Sequence, residues 1–213
     1  MRTFSAQRML APILWKTANK AFLLFEVGYR LANRLHPVDD FLYLKKSRYK
    51  GVMRIFADGT VLHHGDRIGI IHFNNNYLAR VHTETGGKNR RRAAFAFGYA
   101  FVGSMQNLAL GLRQDPSLQE LRVITGVSWF KPHGSKVGFE IEALPEGRQK
   151  RLLTKHFRLL LYAMFPHLVK RESTRLEPNR FWLTKNRLIE SITAKDNHVA
   201  QRLSKYNQPR IAT

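Results

Sequence analysis

With 213 residues, 44% of them hydrophobic and 14 of them phenylalanine, the chain can bury a sizeable core, which excludes a disordered class. It has no cysteine, which excludes disulfide frameworks, thiolate metal sites and cysteine nucleophiles. Its 36 Lys and Arg against 15 Asp and Glu leave a formal charge of +21, which attracts polyanions: nucleic acid, anionic lipid headgroups or acidic polysaccharide.

The first element is an amphipathic helix over Ala6 to Leu35. Leu10, Ile13, Leu14, Ala18, Ala21, Leu24, Leu31 and Leu35 recur at helical spacing, with Lys16, Lys20 and Arg30 elsewhere on the wheel. Its longest uncharged run, Met9 to Trp15, is too short for a membrane span or a secretory signal. Two readings stand: a membrane-surface helix anchored by Trp15 and Phe22, or a helix packed on its own domain or a partner. His36-Pro37 ends it, because the residue before proline is pushed out of helical geometry.

Phe41 to Arg48 and Gly51 to Phe56 read as strands or an extended lead-in. Asp58-Gly59 is a hairpin signal, and Gly65-Asp66 turns into an alternating strand on which Asp66, Ile68, Ile70, His72 and Asn74 share one face. Asn74 to Asn76 end this strand and cap a short helix around Tyr77 to Thr83. Gly86-Gly87 with Lys88, Arg90, Arg91 and Arg92 forms a basic loop, either a solvated helix entrance or a phosphate and headgroup contact.

Ala93 to Leu112 is a run of 20 residues without a charge, but Ser104, Gln106, Asn107 and three glycines make it a buried helix across a sheet before a membrane span. Pro116-Ser117 reads as a turn. Leu121 to Phe130 and Val137 to Ala143 alternate as strands, joined by the hairpin-length Lys131 to Ser135, with Glu140 and Glu142 facing solvent. A helix from Glu146 to Phe165 sets Leu152, Leu153, His156, Phe157, Leu160 and Met164 on one side and Arg148, Lys150, Arg151, Lys155 and Arg158 on the other. Arg180 to Leu183 is a last strand, and Thr184 caps a helix carrying Leu188, Ile189 and Ile192.

The expected architecture is α+β. A mostly antiparallel sheet packed by helices fills residues 41–193, with an N-terminal helical extension over 1–40 and a basic tail over 194–213.

His63, His64, Asp66 and His72 are the residues that resemble a metal or acid–base set. His63 and His64 are adjacent on an extended segment and point to opposite faces, so at most one joins Asp66 and His72; the plainer reading fixes a turn with Asp66 and buries His72, and no metal or cofactor is expected. Glu140 and Glu142 are the other available carboxylates, on strands expected to neighbour this one. No P-loop and no GxSxG elbow is present, so nucleophilic catalysis is not expected.

The stretches DGTVLHHGDRIGIIHFNN from Asp58, ITGVSWF from Ile124, KVGFEIEALP from Lys136 and RFWLTKNRLIE from Arg180, taken with the uncharged helix, resemble the bacterial YkoP-like domain over about residues 45 to 193. The resemblance implies association, in context or by fusion, with polysaccharide deacetylases, glycosyltransferases and other envelope-building enzymes. It transfers no activity to this chain.

The leading expectation is an accessory or binding domain, cytoplasmic and peripheral on the inner membrane, in envelope lipid or polysaccharide metabolism. His64, Asp66, His72, Asn74 and Asn75 would hold a polyhydroxyl or headgroup ligand, and Lys88, Arg90, Arg91, Arg92, Arg151, Lys155 and Arg158 an anionic one. One alternative is nonspecific nucleic-acid binding, through the same bases and Lys170-Arg171, although no zinc-finger, RRM or helix-turn-helix signature accompanies them. The other is a small hydrolase or transferase using Asp66 and His72.

Overall fold

The computed structural model of the chain describes residues 24, 26–84, 90–129, 138–164 and 176–193. The chain divides into two compact units, one of residues 35–143 with 179–213 and the other of residues 1–34 with 144–178.

The first unit is built on a six-stranded sheet. In chain order its elements are β1 (His36–Pro37), β2 (Leu42–Arg48), β3 (Arg54–Ile55), β4 (Val61–Leu62), β5 (Arg67–Phe73), α1 (Asn75–Glu84), α2 (Arg90–Gln114), α3 (Pro116–Gln119), β6 (Val123–Ser128) and β7 (Glu140–Ala143); α4 (Arg148–Met164) belongs to the other unit, and β8 (Asn179–Thr184) and α5 (Lys185–Thr193) return to this one. The sheet order is β1-β2-β5-β6-β8-β7, and β3 and β4 form a separate hairpin. Among the described strands only β5 and β6 pair in parallel, and α1 to α3 supply the crossover that a parallel pair needs. The α+β, mostly antiparallel architecture expected from the sequence is the one the chain adopts.

Local signals place the turns. Gly59 and Gly65 have φ of 80° and 90°, a region that a residue without a Cβ enters cheaply. Thr184 accepts the Arg187 backbone N–H at 3.2 Å and so caps α5, and it also bonds Asp58 on the hairpin. Pro116, read as a turn, instead opens the single helical turn of α3, with Asp115 as its N-cap.

Alternation sends β5 to two cores. Ile71 and Phe73 face α2, where Phe73 meets Phe97 at 5.7 Å and Phe101 at 6.1 Å. Gly69 lies on this face because a Cβ there would meet Ile124 and Leu44 at under 3 Å. On the opposite face Ile68 packs with Val123, Trp182, Phe56 and Leu62, so the hairpin covers β5, β6 and β8 there. The uncharged run is only partly the buried helix it reads as: Met105, Leu108, Ala109 and Leu112 of α2 are buried, but Phe95, Tyr99 and Leu110 are exposed. Among the described residues no helix is long and apolar enough to cross a membrane.

The order of the last strands corrects the sequence reading. The expected β6–β7 hairpin does not form, because β8 lies between them and pairs with both. β8 is the more apolar strand and takes the doubly paired position, leaving glutamate-bearing β7 at the edge. The loop expected at Lys131 to Ser135 lies outside the described residues.

In the second unit, residues 26–32 are helical, continuing into the turn at 33–34, and α4 spans 17 residues. Phe157 and Leu160 turn α4's buried side inward. The rest of the expected N-terminal helix and the tail over 194–213 lie outside the described residues.

Candidate functional site

The residues singled out around β5 are spread along it. Asp66 precedes the strand and His72 is near its end, so six residues at about 3.3 Å each separate them by roughly 20 Å. Asp66 closes the turn: its Oδ2 accepts the His63 N–H at 2.8 Å and lies 3.8 Å from Arg122 Nη1. His64 is exposed in the same turn. At the other end Asn74 donates from Nδ2 to the Asp40 carbonyl at 2.7 Å and accepts the Asn76 N–H at 3.1 Å, capping α1, which begins at Asn75. Both polar ends are therefore occupied in holding the backbone. Among the described residues no three His, Asp or Glu side chains gather as a metal set would require.

His72 stands opposite Tyr43 in the β2–β5 register, diagonal to Lys45. Burial, reinforced by the Lys45 charge, pushes its imidazole down to about 4, so it is neutral at physiological pH. A neutral imidazole can still serve as a base, but Asp66 is too far away to orient it, and the carboxylates of β7 are two strands removed. The expectation that β5 and β7 are neighbours is overturned by the insertion of β6 and β8.

Glu142 is exposed, as the alternation predicts, and Glu140 partly so, but both are engaged by the fold. Both reach the hairpin: Glu140 Oε1 accepts the Ala57 N–H at 2.8 Å, and Glu142 Oε2 accepts from Arg54 Nη1 at 2.7 Å and Trp182 Nε1 at 2.8 Å. Arg54 also lies 3.6 Å from Glu140, with its guanidinium over the rings of Phe56 at 5.2 Å and Trp182 at 5.0 Å. Burial acts to raise the Glu142 carboxyl, but the indole N–H and Arg54 outweigh it and hold it below the usual carboxylate range. An anion held this way is no general acid. The cluster clamps the hairpin to the sheet, and Ile141, between the two glutamates, is exposed.

Of the basic candidates, Lys88 lies outside the described residues and Arg90 and Arg91 open α2, where Arg92 is exposed. Arg151, Lys155 and Arg158 are all exposed on α4, which carries five basic residues and no acidic one. Between them stand Leu152, 66% exposed, and Leu159, 62% exposed. Leu152 therefore departs from the buried side to which the sequence assigns it. It is five residues before Phe157, which places the two about 140° apart around the helix. Leu152, Lys155 and Leu159 form one ridge, with Arg148 a turn before it and Arg151 and Arg158 along its flank. Glu146, just ahead of the helix, engages Lys150 at 2.6 Å on the other side. A similar ridge runs along the helical residues near 26–32, where Leu24 and Leu31 are both about three-quarters exposed and Val27 lies between them. The spacing of the leucines was visible in the sequence; that they are not covered was not.

The YkoP domain family model matches residues 15–192. The match reaches further toward the N-terminus than the stretches quoted from residue 45, and it takes in segments of both compact units. No curated protein and no solved structure matches the chain. The chain belongs to the YkoP domain family.

Proposed function

We propose that this member of the YkoP domain family is a binding module that docks on an anionic membrane surface through α4, serving envelope lipid or polysaccharide metabolism. One observation carries the reading: two leucines stand about two-thirds exposed in the middle of a basic helix face that has no carboxylate of its own. A helix that lies in the headgroup region needs this combination, apolar side chains to enter the acyl boundary and cations to meet the phosphates. Covering the two leucines contributes roughly 3 kcal/mol and the four cations of the face about 1 kcal/mol each, a gross attraction of roughly 7 kcal/mol. The cations alone would serve nucleic acid equally well, but phosphate contacts leave the leucines in water. The envelope setting is what the sequence resemblance implies. The enzymatic alternative has less support, since Asp66 and His72 lie at opposite ends of β5.

Flotation with anionic and neutral vesicles, with excess oligonucleotide as competitor, tests this with two variants. One replaces Leu152 and Leu159 by Ser, and the other replaces Arg151, Lys155 and Arg158 by Gln. Membrane docking predicts that each variant loses at least about tenfold in partition to anionic vesicles, that the intact chain ignores neutral ones, and that oligonucleotide leaves flotation in place. If only the charge variant loses binding and oligonucleotide strips the chain from vesicles, the ligand is nucleic acid and the proposal falls.

A further inference from the structure

Among the described residues of the sheet unit, the most exposed large apolar side chains are at the approach to the β3–β4 hairpin: Val52 is 86%, Met53 59% and Ile55 65% exposed. They follow β2 directly, in the short connection Tyr49 to Met53, with Ile55 on β3 itself. An exposed apolar group of this kind is a cost in water unless something covers it.

The connection is held so that it cannot fold these residues away. The Tyr49 hydroxyl donates to the Val52 carbonyl at 2.8 Å, while the Tyr49 backbone N–H donates to Asp66 O at 2.8 Å and its carbonyl accepts from Gly65 N at 2.8 Å. The Tyr49 ring stands edge-on to Trp182 at 6.0 Å. On the far side of the tip, Arg54 is clamped by Glu140 and Glu142. Gly51 lies against the Tyr49 ring with no room for a Cβ. The connection is thus held with its apolar side chains exposed.

The chain that leads into the tip carries charge of one sign, while the nearest carboxylates, Glu140 and Glu142, are engaged by Arg54. From Phe41 to Ala57 the chain has no acidic residue, and Arg48 and Lys50 are exposed just ahead of Val52. Three side chains present a few hundred Å² at most, well under the roughly 800 Å² per partner of a stable protein interface. A bilayer asks for no such area, only for apolar groups that enter and cations that stop at the phosphates.

We propose that Val52, Met53 and Ile55 form a second membrane-insertion element, which enters the headgroup–acyl boundary of an anionic bilayer with Arg48 and Lys50 at the phosphate level. The inference rests on the membrane-surface reading of α4 and adds a contact from the sheet unit that α4 does not supply.

The absence of cysteine permits a clean test in the full chain. Met53→Cys carries a polarity-sensitive fluorophore, and Asn186→Cys, exposed on α5, carries the same label as a control. Both are mixed with vesicles of phosphatidylglycerol and phosphatidylcholine, some with lipids nitroxide-labelled on the acyl chain. The expected result is a blue shift and at least a twofold rise in emission at position 53, quenched by the nitroxide lipids, with no change at 186. Val52→Ser with Met53→Ser should lower partition to the same vesicles several-fold while melting temperature stays put. A chain that floats through α4 while the label at 53 stays as in water overturns this inference alone. A chain that does not float with anionic vesicles overturns it together with the α4 reading.

Discussion

Arg54 and Arg151 carry the same charge in opposite circumstances. Arg54 sits between two carboxylates and two aromatic rings, and its charge is spent inside the sheet unit. Arg151 stands on a helix with four further bases and no acid, beside the exposed Leu152. A charge of +21 describes the two identically, and so cannot say which cation has a job outside the molecule. The difference lies in the neighbours: a cation next to carboxylates is architecture, and a cation next to an exposed leucine is an interface in want of a second surface.

The widest gap between the two should appear on substitution by alanine. Arg54→Ala leaves Glu140 and Glu142 adjacent without their common cation and strips one wall from Trp182, and is expected to destabilise the chain by about 2 kcal/mol in urea denaturation. Arg54→Lys should recover only part, because an ammonium cannot bridge both carboxylates and lie over the rings together. Arg151→Ala should stay within about 0.5 kcal/mol of the parent and show its effect in vesicle partition instead. Equal losses of stability at the two positions would end the distinction.

What could be read in advance follows the reach of each interaction. The hairpin at Asp58-Gly59, the turn at Gly65 and the caps at Asn74 and Thr184 are settled within a few residues, and each appears where the sequence puts it. Strand order is settled by partners far along the chain. Alternation correctly groups Glu140 with Glu142 but cannot see that Arg54, 88 residues before Glu142, comes to lie on that face and clamps the pair. The same limit hid the placement of β8 between β6 and β7. For α4 the periodicity is right and the inference from it is not: a leucine at helical spacing reads as buried, and only the fold shows that Leu152 lies on the wrong side of the helix to be covered.

His72 extends the comparison to a group that the sheet unit keeps uncharged. Its folded value of about 4 lies below the ordinary histidine value of 6.5, so between those limits the unfolded chain binds the extra proton. Stability should therefore hold above pH 6.5 and fall as the pH drops toward 4, by up to about 1.4 kcal/mol per pH unit from this residue. His72→Gln should flatten that slope in a pH series of urea denaturations. An unchanged slope would mean that the imidazole is not held neutral by its surroundings.

Asn74 gives the smallest expected effect and the sharpest separation between a ligand residue and a structural one. Its Oδ1 receives the Asn76 N–H at 3.1 Å, and its Nδ2 donates to the Asp40 carbonyl at 2.7 Å, so one side chain ties the end of β5 to the start of α1 and to the turn before β2. Asn74→Ala should cost about 1 kcal/mol, as the loss of a helix cap does, and Asn74→Asp should recover the cap but not the bond to Asp40. Neither should alter partition to anionic vesicles, because the residue's polar atoms are turned to its own backbone and not outward. A loss of ligand or vesicle binding at unchanged stability would return the end of β5 to the binding surface, and the line between inward and outward polar groups would have to be redrawn there.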